Sequence, residues 1–209
     1  MTGKVTFYTN PMSRGRMVRW MLEEVGCPYD TKVIDYGPAM HSPDYLAINP
    51  MGKVPAIQHN GQTVTECAAI CAYLADAFPE AGLAPEPAAR AAYYRYLFFA
   101  AGPLEQATTN QRLGFEPEGL RNQGMAGYGT YKRTLDALER IIPARGFITG
   151  DRFTAADVYF GAHIGWGLLF GSLEARPGMA DYWERVSDRD AYRRAKEADD
   201  AITPADAKF

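Results

Sequence analysis

Of the residue types that build metal centres and disulfides, this chain of 209 residues has few: three cysteines, Cys27, Cys67 and Cys71, and three histidines. There is no Cys-x-x-Cys, and Cys67 and Cys71 fall one helical turn apart, a poor geometry for a disulfide. That usage fits a reducing compartment, so a cytoplasmic location is expected. The histidines are well separated, which removes zinc-type spacing, and no metal is expected. No apolar run approaches the roughly 18 to 20 residues that span a membrane. The opening MTGKVTFYTN enters a strand pattern without the apolar core of a signal peptide, so no membrane partner is expected. Nor is there a basic excess: Lys and Arg number 22 against 25 Asp and Glu, a net charge of -3, which gives a nucleic-acid partner no support. With 47% hydrophobic and 22% charged residues the composition is ordinary for a globular protein. The length suits one large domain or two small ones.

What is present divides in two. Lys4 to Thr9 alternates and is rich in β-formers, so it reads as a strand. Asn10-Pro11-Met12-Ser13 is a turn able to cap a helix. The following RGRMVRWMLEEVG carries an apolar stripe of Met17, Val18, Met21, Leu22 and Val25, with Gly26 as the stop. YDTKVIDY is a second strand, and Pro38 to Asn49 is irregular with one short helix. VPAI and QTV are two short strands around His59-Asn60-Gly61, since Asn-Gly is a strong hairpin signal. ECAAICAYLADAF is a helix. The first strand–helix–strand predicts parallel pairing, and the hairpin adds antiparallel strands. PEAGLAPEPAA, with three prolines, reads as a linker. Beyond it the pattern is helical over 89–111, 120–142, 154–169 and 179–198. The expected division is therefore an α/β domain over 1–79, a linker over 80–88 and an all-helical domain over 89–209.

Two local features ask for an explanation. Pro55 stands at a strand entrance, where it cannot donate to a ladder. Glu66 stands at a helix head, where an acid favours the dipole and free N–H groups attract anions. On residues alone, Pro55 reads as a trans edge-strand proline and Glu66 as a dipole acid.

NPMGKVPAI, the acid of TECAAICAYL, and FITGDRFTAADVYFG, in that order and at these intervals, resemble the cytosolic glutathione transferases over nearly the whole chain. The resemblance implies a thioredoxin-like first domain followed by an all-α domain. It implies that the Val54-Pro55 bond is cis and that Val54 offers its backbone N–H and C=O to glutathione, as an added strand would pair. It implies that Glu66 binds the γ-glutamyl ammonium and the N–H of Cys67 the carboxylate. Cys67 replaces the usual serine, and a thiol is a weaker donor. His41 and Lys53 fall where the family places contacts to the glycine carboxylate.

The thiol of glutathione titrates near that of free cysteine, about 8.5, so a donor must favour the thiolate. Three groups at or just after the end of the first strand qualify: Ser13, as in serine-type members, with Tyr8 and Asn10 as alternatives. Arg14 and Arg16 either add positive potential or are solvated or paired with Glu23 or Glu24. Thr154 and Asp157 have a capping-box spacing and read as structural. Met12, Phe98, Asn110 and Trp166 are candidate contacts for a small apolar electrophile. The implied activity is glutathione transfer, or reduction by glutathione, serving detoxification. A homodimer is expected. The alternative is a non-catalytic interaction or regulatory protein on the same fold. A dithiol oxidoreductase is disfavoured by the missing Cys-x-x-Cys.

Overall fold

The computed structural model describes residues 3 to 205. The chain forms two compact units, one reaching to Ala84 and resuming at Arg189, the other running from Pro85 to Asp188.

In the first unit β1 (Val5–Thr9), α1 (Gly15–Val25), β2 (Tyr29–Val33), α2 (Pro43–Leu46), β3 (Ala56–His59), β4 (Gln62–Thr65) and α3 (Cys67–Ala77) follow in order. The sheet order is β2-β1-β3-β4. β1 and β2 are parallel, while β1–β3 and β3–β4 are antiparallel. Asn60 and Gly61 both have positive φ, 50° and 75°, as a tight two-residue hairpin turn requires. Val5, Phe7 and Thr9 alternate inward and are fully buried. The Arg19 guanidinium of α1 lies 5.2 Å from the Phe7 ring centroid, which fixes the face they share. Tyr8 faces the other way, toward Tyr45 of α2 at 6.0 Å. The α1 stripe Met17, Val18, Met21, Leu22 and Val25 is buried. Gly26, at φ 67°, ends the helix by donating its N–H to Leu22 O.

The second unit contains α4 (Ala91–Phe99), a π-helical turn (Ala100–Leu104) with Pro103 inside it, α5 (Glu105–Arg112), α6 (Gly119–Met125), α7 (Tyr131–Ile141), α8 (Ala155–Leu169) and α9 (Met179–Ser187). α8 is buried nearly all round. A Cβ at Gly165 would collide with the Trp183 ring, so the ring of α9 packs directly on the α8 backbone there. Asp157 is fully buried. Thr154 and Asp157 complete a reciprocal capping box. Asp157 also accepts from Ile148 N at 2.7 Å and Tyr182 OH at 2.9 Å, so it holds the preceding loop and α9 as well. Burial pushes its carboxyl above the ordinary value, and these donors work in the opposite direction.

Two sequence expectations are corrected. The helix expected over 120–142 breaks between α6 and α7, where Gly127-Tyr128-Gly129 interrupts it. The helix expected over 179–198 breaks at Asp188-Arg189 into α9 and α10 (Asp190–Asp200). α10 groups with the first compact unit, where it packs on α1. The physical reason is a set of ion pairs. Arg189 holds Glu24 through two bonds of 2.6 and 2.7 Å, and Arg194 pairs with Glu23 at 2.9 Å. Arg19 and Asp199 meet at 2.7 Å with both side chains almost fully buried. Trp20 packs edge-on against Tyr192. Thus Glu23 and Glu24 are paired with arginines of the C-terminal segment, while the α1 arginines reach Asp199 and Asp200.

Two stability outcomes follow. Asp157→Ala removes a cap and strands two buried donors, so unfolding should become easier by about 2 to 5 kcal/mol; an unchanged melting temperature contradicts the assignment. Arg19→Leu leaves Asp199 buried without its cation and should cost about 3 to 5 kcal/mol, with Arg19→Leu/Asp199→Leu recovering much of that loss in urea unfolding.

Candidate functional site

The strand register assembles the site. Tyr8 sits opposite Ala56, and Ala56 opposite Thr65. One step further along each strand brings the end of β1, Pro55 and Glu66 to the same edge of the sheet. The loop after β1, the approach to β3 and the start of α3 therefore converge there.

Within the β1–α1 loop the polar side chains of Asn10 and Ser13 are hydrogen-bonded. Asn10 is buried; its Nδ2 donates to Ile34 O at 3.0 Å and its Oδ1 accepts from Met12 N at 2.9 Å, pinning the loop to the chain beyond β2. Ser13 Oγ donates to Asn10 O at 2.7 Å and accepts from Gly15 N at 3.0 Å. The same Asn10 carbonyl already accepts Ser13 N at 3.1 Å. Thr9 Oγ1 donates to that carbonyl as well, at 3.4 Å, so the Ser13 hydroxyl proton is one of three donors on it, and turning it elsewhere leaves no orphan. Tyr8 OH, by contrast, donates to Gln58 Oε1 at 2.8 Å from the opposite face of the sheet to Phe7. Met12 is half-buried in the same loop.

The approach to β3 is held from below. Lys53 O accepts from Tyr45 OH at 2.6 Å and from Asn49 Nδ2 at 2.7 Å. The Lys53 side chain is exposed, and His41 is exposed with its Nδ1 3.0 Å from Gly37 O. The His41 ring lies against Gly52, within 3.4 Å of where a Cβ there would stand, so His41 and Lys53 share this corner. Val54 is half-buried and precedes the ladder, which begins at Ala56. The Val54-Pro55 bond is cis.

At the head of α3, Glu66 adopts φ 66° and ψ 118°. Such backbone costs a non-glycine residue of order 1 to 3 kcal/mol and persists where the surroundings over-determine it. The Glu66 carboxylate is exposed and makes no hydrogen bond or ion pair among the described residues. Cys67 is buried, and its Sγ donates to Arg14 O at 3.8 Å, tying α3 to the β1–α1 loop. Burial pushes the Cys71 thiol well up and the Cys27 thiol to about 11, so both remain protonated and inert at neutral pH.

The remaining candidates lie in the second unit. Phe98 is 72% exposed on α4. Asn110 Nδ2 donates to Tyr128 OH at 3.0 Å, and Trp166 packs edge-on against Phe170. No group of three or more metal-ligating side chains occurs among the described residues. No helix among them is long and apolar enough to cross a membrane.

Comparison with known proteins decides the family. The glutathione S-transferase N-terminal domain model matches residues 12–77, and the C-terminal domain model residues 87–167. A Pseudomonas aeruginosa relative named maleylacetoacetate isomerase is 30% identical, covering 96% of this chain and 98% of its own. The chain belongs to the glutathione S-transferase family. A glutathione transferase structure from Methylococcus capsulatus matches with TM-score 0.76 at 29% identity, covering 95% of this chain and 100% of that one. A Sulfitobacter glutathione transferase homologue, solved with bound glutathione, matches with TM-score 0.73 at 26% identity, covering 95% and 99%. The thioredoxin-like unit and the helical unit are those of this transferase family.

Two features escaped the sequence reading. One is the Arg16 Nε bond to Pro11 O at 2.6 Å. The other is the buried Arg19–Asp199 pair, for which Ala191, Ala195 and Asp199, recurring every four residues, are the signal in the sequence. Glu66→Gly relieves about 1 to 3 kcal/mol of backbone strain against an unfolded-state entropy cost of about 0.4 to 1. Its melting temperature should hold or rise, and a fall of several degrees contradicts the strain assignment.

Proposed function

We propose that this glutathione transferase binds glutathione at the edge where β1, β3 and β4 meet α3, and that Ser13 holds its sulfur as the thiolate. Support comes from matching chemistry. A tripeptide brings a backbone to pair with Val54 as an added strand. It brings an ammonium for the Glu66 carboxylate, and a γ-glutamyl carboxylate for the N–H of Cys67 at the positive end of α3. Its glycine carboxylate suits Lys53 and His41. Pro55 shapes the approach to this slot. The Cys67 thiol, turned toward Arg14 O, adds nothing to the carboxylate, so affinity is modest.

Bound glutathione supplies the nucleophilic sulfur. The chain's own contribution is one directed proton. Gly15 N–H, donating to Ser13 Oγ, fixes the oxygen and polarises its O–H. The Ser13 O–H then leaves Asn10 O, which keeps Ser13 N–H, and donates to sulfur. A hydrogen bond to the charged form lowers the thiol's pKa and raises the thiolate fraction at neutral pH. The redundant Ser13 hydroxyl is the observation that carries this reading. The Tyr8 proton is committed to Gln58, and the Asn10 amide holds the loop.

The thiolate attacks a small apolar electrophile, an aryl halide, epoxide, enone or peroxide, with Met12, Phe98, Asn110 and Trp166 as proposed contacts. Detoxification in the cytoplasm and a homodimeric state belong to the same proposal. Ser13→Ala should lower kcat for a chloronitrobenzene by about tenfold or more, one pKa unit of lost thiolate, while glutathione affinity changes less than about twofold. Normal turnover in Ser13→Ala with a dead Tyr8→Phe moves the role to Tyr8. A wild-type protein with no glutathione-dependent thermal shift favours the non-catalytic alternative. Glu66→Ala should weaken glutathione binding by about tenfold or more in calorimetry, the loss of a charge-assisted bond.

A further inference from the structure

We propose that Arg16 is a positioning residue, a strut through which the C-terminal segment after α10 sets the loop that presents Ser13. Its Nε donates to Pro11 O at 2.6 Å, inside the loop. Its Nη1 bonds Asp200 Oδ1 at 2.8 Å, at the last residue of α10. Its Nη2 donates to Thr203 Oγ1 at 2.9 Å, and that hydroxyl donates in turn to Asp199 O at 2.8 Å. One planar guanidinium thus joins residues 184 and 187 positions apart to the carbonyl two residues before Ser13. Its side chain is only 14% exposed, far less than a solvated surface arginine. The Arg19–Asp199 pair, one turn further along α1, anchors the same end of α10.

A surface salt bridge alone adds little. A rigid fork with three acceptors on two segments does something different: it removes freedom from the loop backbone. A donor to sulfur acts only if its oxygen is held to a few tenths of an ångström, so slack at Pro11 appears as lost thiolate rather than lost binding. The other charges here are Arg14, in the loop, and Lys196, which shares Asp200.

This inference rests on the reading of Ser13 as the sulfur's donor, and the test separates the two. Full-length wild type, Arg16→Met, Thr203→Val and Asp200→Asn are saturated with glutathione. The bound thiol is titrated by its ultraviolet thiolate absorbance, with kcat, glutathione affinity and melting temperature measured alongside. The sign for Asp200→Asn is diagnostic: by Coulomb's law alone, losing a negative charge lowers the thiol's pKa, whereas a slackened strut raises it. Thr203→Val changes no charge. We expect the titration to rise in all three, by about one unit in Arg16→Met, with kcat at neutral pH down about tenfold. Glutathione affinity should stay within about twofold, and Thr203→Val should have no further effect in the Arg16→Met background, as expected of one shared path. A wild-type bound thiol that titrates like free glutathione overturns the Ser13 reading and this one with it. A lowered wild-type titration that Thr203→Val and Asp200→Asn leave unmoved, or that Asp200→Asn lowers further, overturns the strut alone.

Discussion

The register of three strands is the constraint on which the site depends. With Tyr8 opposite Ala56 and Ala56 opposite Thr65, the end of β1, the entrance of β3 and the head of α3 have no choice but to meet. A slip of one residue would turn Tyr8 inward and Phe7 outward, against the burial that sets the pairing. The hydrophobic face of the sheet therefore fixes where Ser13, Val54 and Glu66 stand, although none of the three belongs to the core. The geometry of this edge is a by-product of how the apolar residues are forced to pack.

Around that edge the polar groups fall into two kinds. Some are spent on holding backbone: the Asn10 amide, the Tyr45 hydroxyl and Asn49 on Lys53 O, and Arg16 on Pro11 O. Others are surplus to the fold: the Ser13 proton, the Glu66 carboxylate and the backbone of Val54 beyond the ladder. Rigidity from the first kind makes the second kind useful, because a donor that is already placed needs no reorganisation when charge develops. The strained Glu66 backbone fits the same division, since nothing in the packing of α3 needs a glutamate there.

Much of this was legible in the sequence. Alternation in Lys4 to Thr9, the α1 stripe ending at Gly26, and the Asn60-Gly61 turn are local signals that the backbone obeys directly. The two broken helices were not legible because their breaks carry no proline. Gly127 and Gly129 bracket a buried Tyr128, and Asp188-Arg189 turns because Arg189 is drawn to Glu24. Long-range charge pairs override helical periodicity, and a pattern read in windows cannot see a partner 165 positions away. The candidate site residues Ser13, Val54 and Glu66 lie in loops and at helix ends, outside the periodic pattern of the elements. From residues alone their chemistry was open; resemblance at NPMGKVPAI and TECAAICAYL supplied the reading proposed for them.

The most direct measurement is a crystal structure of the protein grown with glutathione. The account predicts the cysteinyl backbone of the tripeptide paired with Val54, its ammonium on Glu66, and its sulfur about 3 Å from Ser13 Oγ, a hydrogen-bond distance. A tripeptide bound away from this edge, or a sulfur facing the Tyr8 hydroxyl with Ser13 still turned to Asn10 O, would contradict it.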